Sequence, residues 1–130
     1  MDEQLELTLP PGPSAASTAR NALTRRFSSI LTVRGLEDLR LLVTELISNS
    51  LRHAGLRSGD RVSLRAGVRD GHVRVEVRDP GRDGPVRKRD PQGRTGGYGL
   101  YLVERVSKRW GVERNGGTVV WFELPAAGAR

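Results

Sequence analysis

The chain has 130 residues, 36% of them hydrophobic, with no cysteine and a formal net charge of +7. That length suits one domain with a single core, the absent cysteines exclude disulfides and thiolate metal sites, and no run approaches the ~20 apolar residues that span a bilayer. The positive charge invites a nucleic-acid reading, but all but two of the 22 basic residues are Arg, spread from Arg20 to Arg130 with one cluster at Arg87-Lys88-Arg89. The aromatic residues Phe27, Tyr98, Tyr101, Trp110, Trp121 and Phe122 form no base-stacking ladder, so nucleic acid is not the expected partner.

The chain opens on Leu5, Leu7 and Leu9 alternating with Glu6 and Thr8, a short strand stopped by Pro10-Pro11. This acidic, alternating start lacks the basic end and apolar run of a secretory leader, so a cytoplasmic protein without a membrane anchor is expected. Residues 14–29 predict a helix, with Ser14 at the N-cap and Ala16, Ala19, Leu23, Phe27 and Ile30 at helical spacing. Gly35 interrupts the pattern, and a second helix is predicted from Leu36 to Ala54, stopped by Gly55. Val62, Leu64, Ala66 and Val68, then Val73, Val75 and Val77, alternate as two strands around an Asp70-Gly71 hairpin turn. Residues 80–97 read as a loop rich in Gly, Pro and Arg, and residues 98–109 as a third helix carrying Leu102, Val103 and Val106. Residues 112–114 and 118–124 close the domain as strands joined by Asn115-Gly116-Gly117. The expected order is β-α-α-β-β-α-β-β over residues 1–125, with 126–130 a frayed tail. Mostly antiparallel hairpins with helices on one face make this an α+β protein.

Four features carry chemistry. In Thr44-Glu45-Leu46-Ile47-Ser48-Asn49-Ser50-Leu51-Arg52-His53, Glu45, Asn49 and His53 fall on one stripe beside the apolar face of Leu36, Leu39, Val43 and Leu46. A carboxylate and an amide there suit Mg²⁺ ligation or the orientation of an attacking hydroxyl, and they equally suit a plain solvent face. His53, in the last turn, favours the helix dipole without any further role. In Val73-Arg74-Val75-Glu76-Val77-Arg78-Asp79-Pro80-Gly81, Asp79 is in phase with the buried valines and needs a donor. An adenine amino group would serve, and so would backbone N–H groups in an Asx turn. Gly96-Gly97-Tyr98-Gly99-Leu100 opens the third helix, where glycines and free N–H groups can approach phosphate. It lacks the Lys and Ser/Thr of a P-loop and does not match the Rossmann fingerprint. Thr118 shares a face with Val120, Phe122 and Leu124, so its hydroxyl points inward.

Together, in this order and spacing, the four resemble the GHKL superfamily of ATPases and kinases (gyrase, heat-shock chaperone, histidine kinase and MutL types). Glu45-x-x-x-Asn49 resembles the N box, Asp79-x-Gly81 the G1 box, Gly97-x-Gly99-Leu100 the G2 box, and Gly117-Thr118 the last, Thr-bearing segment. The length, Arg109-Trp110-Gly111-Val112 and Val120-Trp121-Phe122-Glu123-Leu124 are most similar to single-domain bacterial anti-sigma factor serine/threonine kinases. The resemblance implies a Bergerat fold, a two-layer α/β sandwich with ATP between helices and a mixed, mostly antiparallel sheet. It implies Glu45 as general base, Asn49 as Mg²⁺ ligand, and Asp79 with Thr118 as adenine readers. Gly81 would let the backbone approach the nucleotide, and Gly97, Gly99 and Leu100 would line the phosphate end.

The implied function is an ATP- and Mg²⁺-dependent serine/threonine kinase that binds a sigma factor and phosphorylates a STAS-domain anti-anti-sigma partner, working as a homodimer. At this length the His-bearing dimerisation helix of a sensor kinase is not expected. One departure favours an alternative, a non-catalytic module that sequesters its partner with ATP or with no nucleotide. Asp83 stands where the second glycine of Asp-x-Gly-x-Gly is expected, and an added carboxylate near a triphosphate is unfavourable unless it turns away or meets Mg²⁺. Residues 85–95 are short and basic for an ATP lid. Arg87, Lys88, Arg89 and Arg94 suit phosphate neutralisation and a solvated loop alike.

Overall fold

The computed structural model describes residues 2–53, 59–81, 99–114 and 116–128. Five strands and three helices follow in the expected order. They are β1 (Asp2–Leu9), α1 (Ala15–Phe27), α2 (Val33–His53), β2 (Val62–Arg69), β3 (His72–Asp79), α3 (Gly99–Val106), β4 (Arg109–Arg114) and β5 (Thr118–Pro125). The strands form one sheet in the order β1-β2-β3-β5-β4. Its four pairings are all antiparallel, so the mixed character implied by resemblance is absent among the described strands. The reason is topological. The β3-α3-β4 crossover lands β4 in the direction of β3 but one place further out, and β5 returns between them.

Helix α1 buries Ala15, Ala19, Leu23 and Phe27, one residue per turn, against its neighbours. Arg25 and Arg26 in its last turn suit the negative end of the helix dipole. Ser14 does occupy the N-cap, but its side chain makes no capping bond; its carbonyl instead accepts from Thr18 N at 2.9 Å and Ser17 Oγ at 3.1 Å. Helix α2 starts at Val33, three residues before the predicted Leu36. Thr32 is the cause: its Oγ1 accepts from Gly35 N at 3.0 Å and its carbonyl from Leu36 N at 2.9 Å, so Gly35 is absorbed into a capped first turn. The predicted stop at Ala54 and Gly55 lies outside the described residues.

The Asp70-Gly71 hairpin forms as expected, with φ of 51° and 76° at the two residues, the left-handed pair of a two-residue turn. Helix α3 ends at Val106 rather than at residue 109. Ser107 turns both its N–H and its hydroxyl onto the Val103 carbonyl, and Lys108 N then donates to Glu123 O at 2.8 Å. The sheet thus captures the chain one turn early, and β4 begins at Arg109 rather than at Val112. The tail is tied where fraying was expected: Ala126 N bonds Gly71 O and Ala127 N bonds Ile30 O, at 2.9 and 2.7 Å.

The three helices cover one sheet face. Helix α2 is central, packing on α1, α3, β3 and β5. Leu39, Leu42, Val43, Leu46 and Ile47 from α2 meet Val73, Val75, Val77 and Phe122 from the sheet, and α1 adds Leu23 and Phe27. Each of these is shielded from water, and burying a side chain of this size contributes roughly 1.5–3 kcal/mol. No helix among the described residues is long and apolar enough to cross a membrane.

Candidate nucleotide-binding site

The site begins with the alternation of β3 and β5. Val73, Val75 and Val77 point into the helix layer, and period two carries Asp79 to the same face at the end of the strand. On β5, Thr118, Val120, Phe122 and Leu124 do the same, and the register places Asp79 opposite Thr118. This polar rung closes an otherwise apolar face. Asp79 is 9% exposed and Thr118 7%.

A buried carboxylate needs hydrogen-bond donors. Among the described residues Gly81 N donates to Asp79 Oδ1 at 2.8 Å. The Asx turn weighed from sequence therefore exists, and it occupies only one carboxylate oxygen. Among the described residues Asp79 makes no ion pair, and the bond from Gly81 uses Oδ1 alone.

Two glycines shape the space around this rung. Gly81 has φ of 75°, and a Cβ there would stand 2.9 Å from Thr118 Oγ1. A Cβ on Gly117 would stand 2.6 Å from the Asp79 carbonyl oxygen. Gly81, just past β3, thus faces the polar residue of β5, and Gly117, just before β5, faces that of β3. The dipeptide Gly117-Thr118 was visible in the sequence, but the tight approach of Gly117 to Asp79 depends on the β3–β5 register and was not.

Glu45 and Asn49 lie one turn apart on α2, both half-buried, between residues sealed in the core: Val43, Leu46 and Ile47. The helix that carries them packs on β3 and β5, the strands that carry Asp79 and Thr118. Glu45 and Asn49 are thus at the margin of the core rather than on a fully solvated face. Neighbouring Ser50 is 8% exposed. Nothing is described of the His53 side chain.

Gly99 is the first residue of α3, and Leu100 behind it is 2% exposed within the core. Leu100 therefore anchors the helix. Gly97, Asp83 and the basic residues Arg87, Lys88, Arg89 and Arg94 lie outside the described residues. No group of three or more His, Asp or Glu among the described residues stands ready to hold a metal ion. A Mg²⁺ ion would instead rely on Asn49, phosphate oxygens and water, a donor set that suits an ion retaining much of its hydration.

Residues 9–124 match the family model of the histidine kinase-like ATPase domain. The serine-protein kinase RsbW of Oceanobacillus iheyensis is 25% identical, over 85% of this chain and 82% of that protein. RsbW of Bacillus velezensis is 29% identical over 91% and 82%, and that of Listeria innocua 29% over 80% and 75%. Among solved structures, the blue-light activated histidine kinase of Erythrobacter litoralis EL346 superposes with a TM-score of 0.58 at 24% identity. That match covers 94% of this chain and 47% of the histidine kinase, and it bears on fold alone. The ATPase family implies ATP as the ligand. With the family model spanning the described core from Leu9 to Leu124, the chain belongs to the histidine kinase-like ATPase (GHKL) domain family and is distantly homologous to the RsbW serine-protein kinases.

Proposed function

We propose that this chain is an ATP- and Mg²⁺-dependent serine/threonine protein kinase of the anti-sigma type. On this reading it binds a sigma factor and phosphorylates a STAS-domain antagonist of its own action. The observation that supports it best is the Asp79–Thr118 rung. A shielded carboxylate whose Oδ1 accepts from Gly81 suits the amino group of adenine through Oδ2, and the Thr118 hydroxyl can bond the same purine edge. ATP supplies the transferable phosphoryl group.

The remaining roles fall to residues of α2 and α3. Asn49 offers an amide oxygen to the metal, and Glu45, one helical turn away, accepts the proton of the attacking Ser or Thr hydroxyl. Gly99, at the first turn of α3, presents backbone N–H groups of a helix start, which favour anionic oxygens. Such a division suits phosphoryl transfer, in which positioning and charge neutralisation account for most of the catalysis.

The first experiment is calorimetric titration with ATP, with and without Mg²⁺, on the wild type and on Asp79→Asn. Mg²⁺-dependent binding that fails in the variant supports the site. Glu45→Ala is expected to bind ATP normally and to transfer no phosphate to the partner; undiminished transfer removes Glu45 as the base. Asp83 in the place of the second G1 glycine favours a second reading, a partner-sequestering module without catalysis. A stable partner complex with no phosphate transfer by the wild type would establish that reading instead.

A further inference from the structure

We infer that Gly117 is a positioning residue for base selection: by letting β5 close onto the Asp79 carbonyl, it sets where the Asp79 carboxylate stands. The inference rests on the nucleotide-binding reading above and adds to it a residue that acts through Asp79.

Three glycines surround the rung, and they differ in kind. Gly116 has φ of 70° and open space beside it, so it serves the turn. Gly81 has both a left-handed φ and a close neighbour. Gly117 is absent from the positive-φ glycines, so its backbone conformation does not require glycine. Space does. A Cβ at 117 would lie 2.6 Å from Asp79 O, 3.6 Å from Pro80 O and 3.7 Å from the Asp79 carbonyl carbon, all backbone atoms. No side-chain rotation relieves such a contact, so even Ala forces the end of β3 away from β5.

That displacement bears on the carboxylate. The chain leaves β3 through the Asx turn, in which Oδ1 is bonded to Gly81 N, so the carboxylate is linked to the backbone of residues 79–81 and moves with it. Hydrogen bonds weaken steeply outside a narrow range of distance and angle. A shift of the rung therefore weakens the bond from Asp79 to the 6-amino group of adenine first. Contacts to sugar and phosphates, made elsewhere, are spared.

The test compares ATP with inosine triphosphate, which carries a 6-carbonyl where adenine carries its amino donor. Both are titrated into the full chain as wild type, Gly117→Ala and Gly116→Ala, with far-UV circular dichroism confirming the fold. Sucrose is added to every sample so that a marginally stable variant remains folded. The expected result is a loss of about tenfold in ATP affinity for Gly117→Ala, the scale of one hydrogen bond to a charged group, with inosine triphosphate affinity within about twofold of wild type. Gly116→Ala, whose cost is to turn conformation, is expected to keep the wild-type preference. If Gly117→Ala loses both nucleotides equally, or stays unfolded in sucrose, Gly117 is structural and the inference is overturned. Full retention of the ATP preference by a folded Gly117→Ala overturns it as well, while leaving the nucleotide-binding reading intact. A wild type that binds neither nucleotide removes that reading and this inference together.

Discussion

Two buried carboxylates on opposite faces of one sheet have opposite surroundings. Glu123, 5% exposed, lies on the face away from the helices, where water should be the neighbour. Arg109 Nη2 approaches its Oε1 at 2.7 Å, and Arg74 Nη1 donates to its Oε2 at 3.3 Å. Arg74 also donates to Glu76 at 2.9 Å and stacks on Trp121 with its guanidinium carbon 3.9 Å from the ring centroid. Asp79, 9% exposed on the helix-covered face, has the Gly81 N–H and the facing Thr118, and no ion pair among the described residues. A buried charge must be paired or bonded to be tolerated. On the outer face two Arg side chains approach the carboxylate, although Glu123 Oε1, in ion-pair contact with Arg109, makes no hydrogen bond; at the end of the inner face no cation among the described residues pairs with Asp79. On the proposed reading, the contrast separates a carboxylate that maintains structure from one that serves binding.

The contrast is broken most forcefully at Arg74, whose side chain is 15% exposed. Arg74→Ala removes one cation from both Glu76 and Glu123 and uncovers one face of Trp121. Truncating one partner of a buried ion pair costs about 3–5 kcal/mol, and Arg109 remains to limit the loss. A destabilisation of about 3 kcal/mol in urea unfolding is expected, with ATP affinity of the folded protein unchanged. Equal loss of ATP affinity would mean that the outer network also holds the site in place, and the division between faces would fail.

A smaller effect is expected at Gly111, on edge strand β4 opposite Trp121. A Cβ there would lie 2.7 Å from the indole Nε1 and 2.8 Å from Cε2 and Cζ2. Gly111→Ala must push the indole off β4 and disturb its stacking with Arg74. Overpacking of this kind costs typically 1–3 kcal/mol, so about 2 kcal/mol is expected, accompanied by a change in Trp fluorescence. Unchanged stability with unchanged fluorescence would show that the indole does not depend on the glycine slot.

These two regions also differ in how far they could be read from sequence. The positions of the candidate residues follow from local pattern: Asp79 after three alternating valines, Thr118 before Val120, Phe122 and Leu124, and Glu45 and Asn49 beside the apolar stripe of α2. The outer network was not legible, because Arg74 and Glu123 are brought together only by the β3–β5 register across 49 residues. Element order and the Asp70-Gly71 turn followed from local pattern, whereas two helix boundaries did not. Gly35 would end a helix on propensity, yet the Thr32 cap retains it; residues 107–109 continue a helical pattern, yet Lys108 bonds the sheet. In both cases specific hydrogen bonds outweighed the local preference.

The smallest stability effect makes the sharpest test of the contrast. Asp79→Asn keeps the shape of the side chain and its Oδ1 acceptor, so the Asx turn to Gly81 can persist. It removes a buried charge that no cation among the described residues neutralises, so the unliganded protein should change by less than about 1 kcal/mol in either direction. Glu123→Gln, the same change on the other face, leaves Arg74 and Arg109 without their anion and should cost about 2 kcal/mol. With ATP at a hundred times its Kd the order reverses: the wild type and Glu123→Gln should each gain about 2.7 kcal/mol, and Asp79→Asn almost nothing. Thermal unfolding of the three proteins with and without ATP measures both halves. A large loss for unliganded Asp79→Asn would assign Asp79 to structure, whereas the crossing of the two orders is what a carboxylate reserved for a ligand requires.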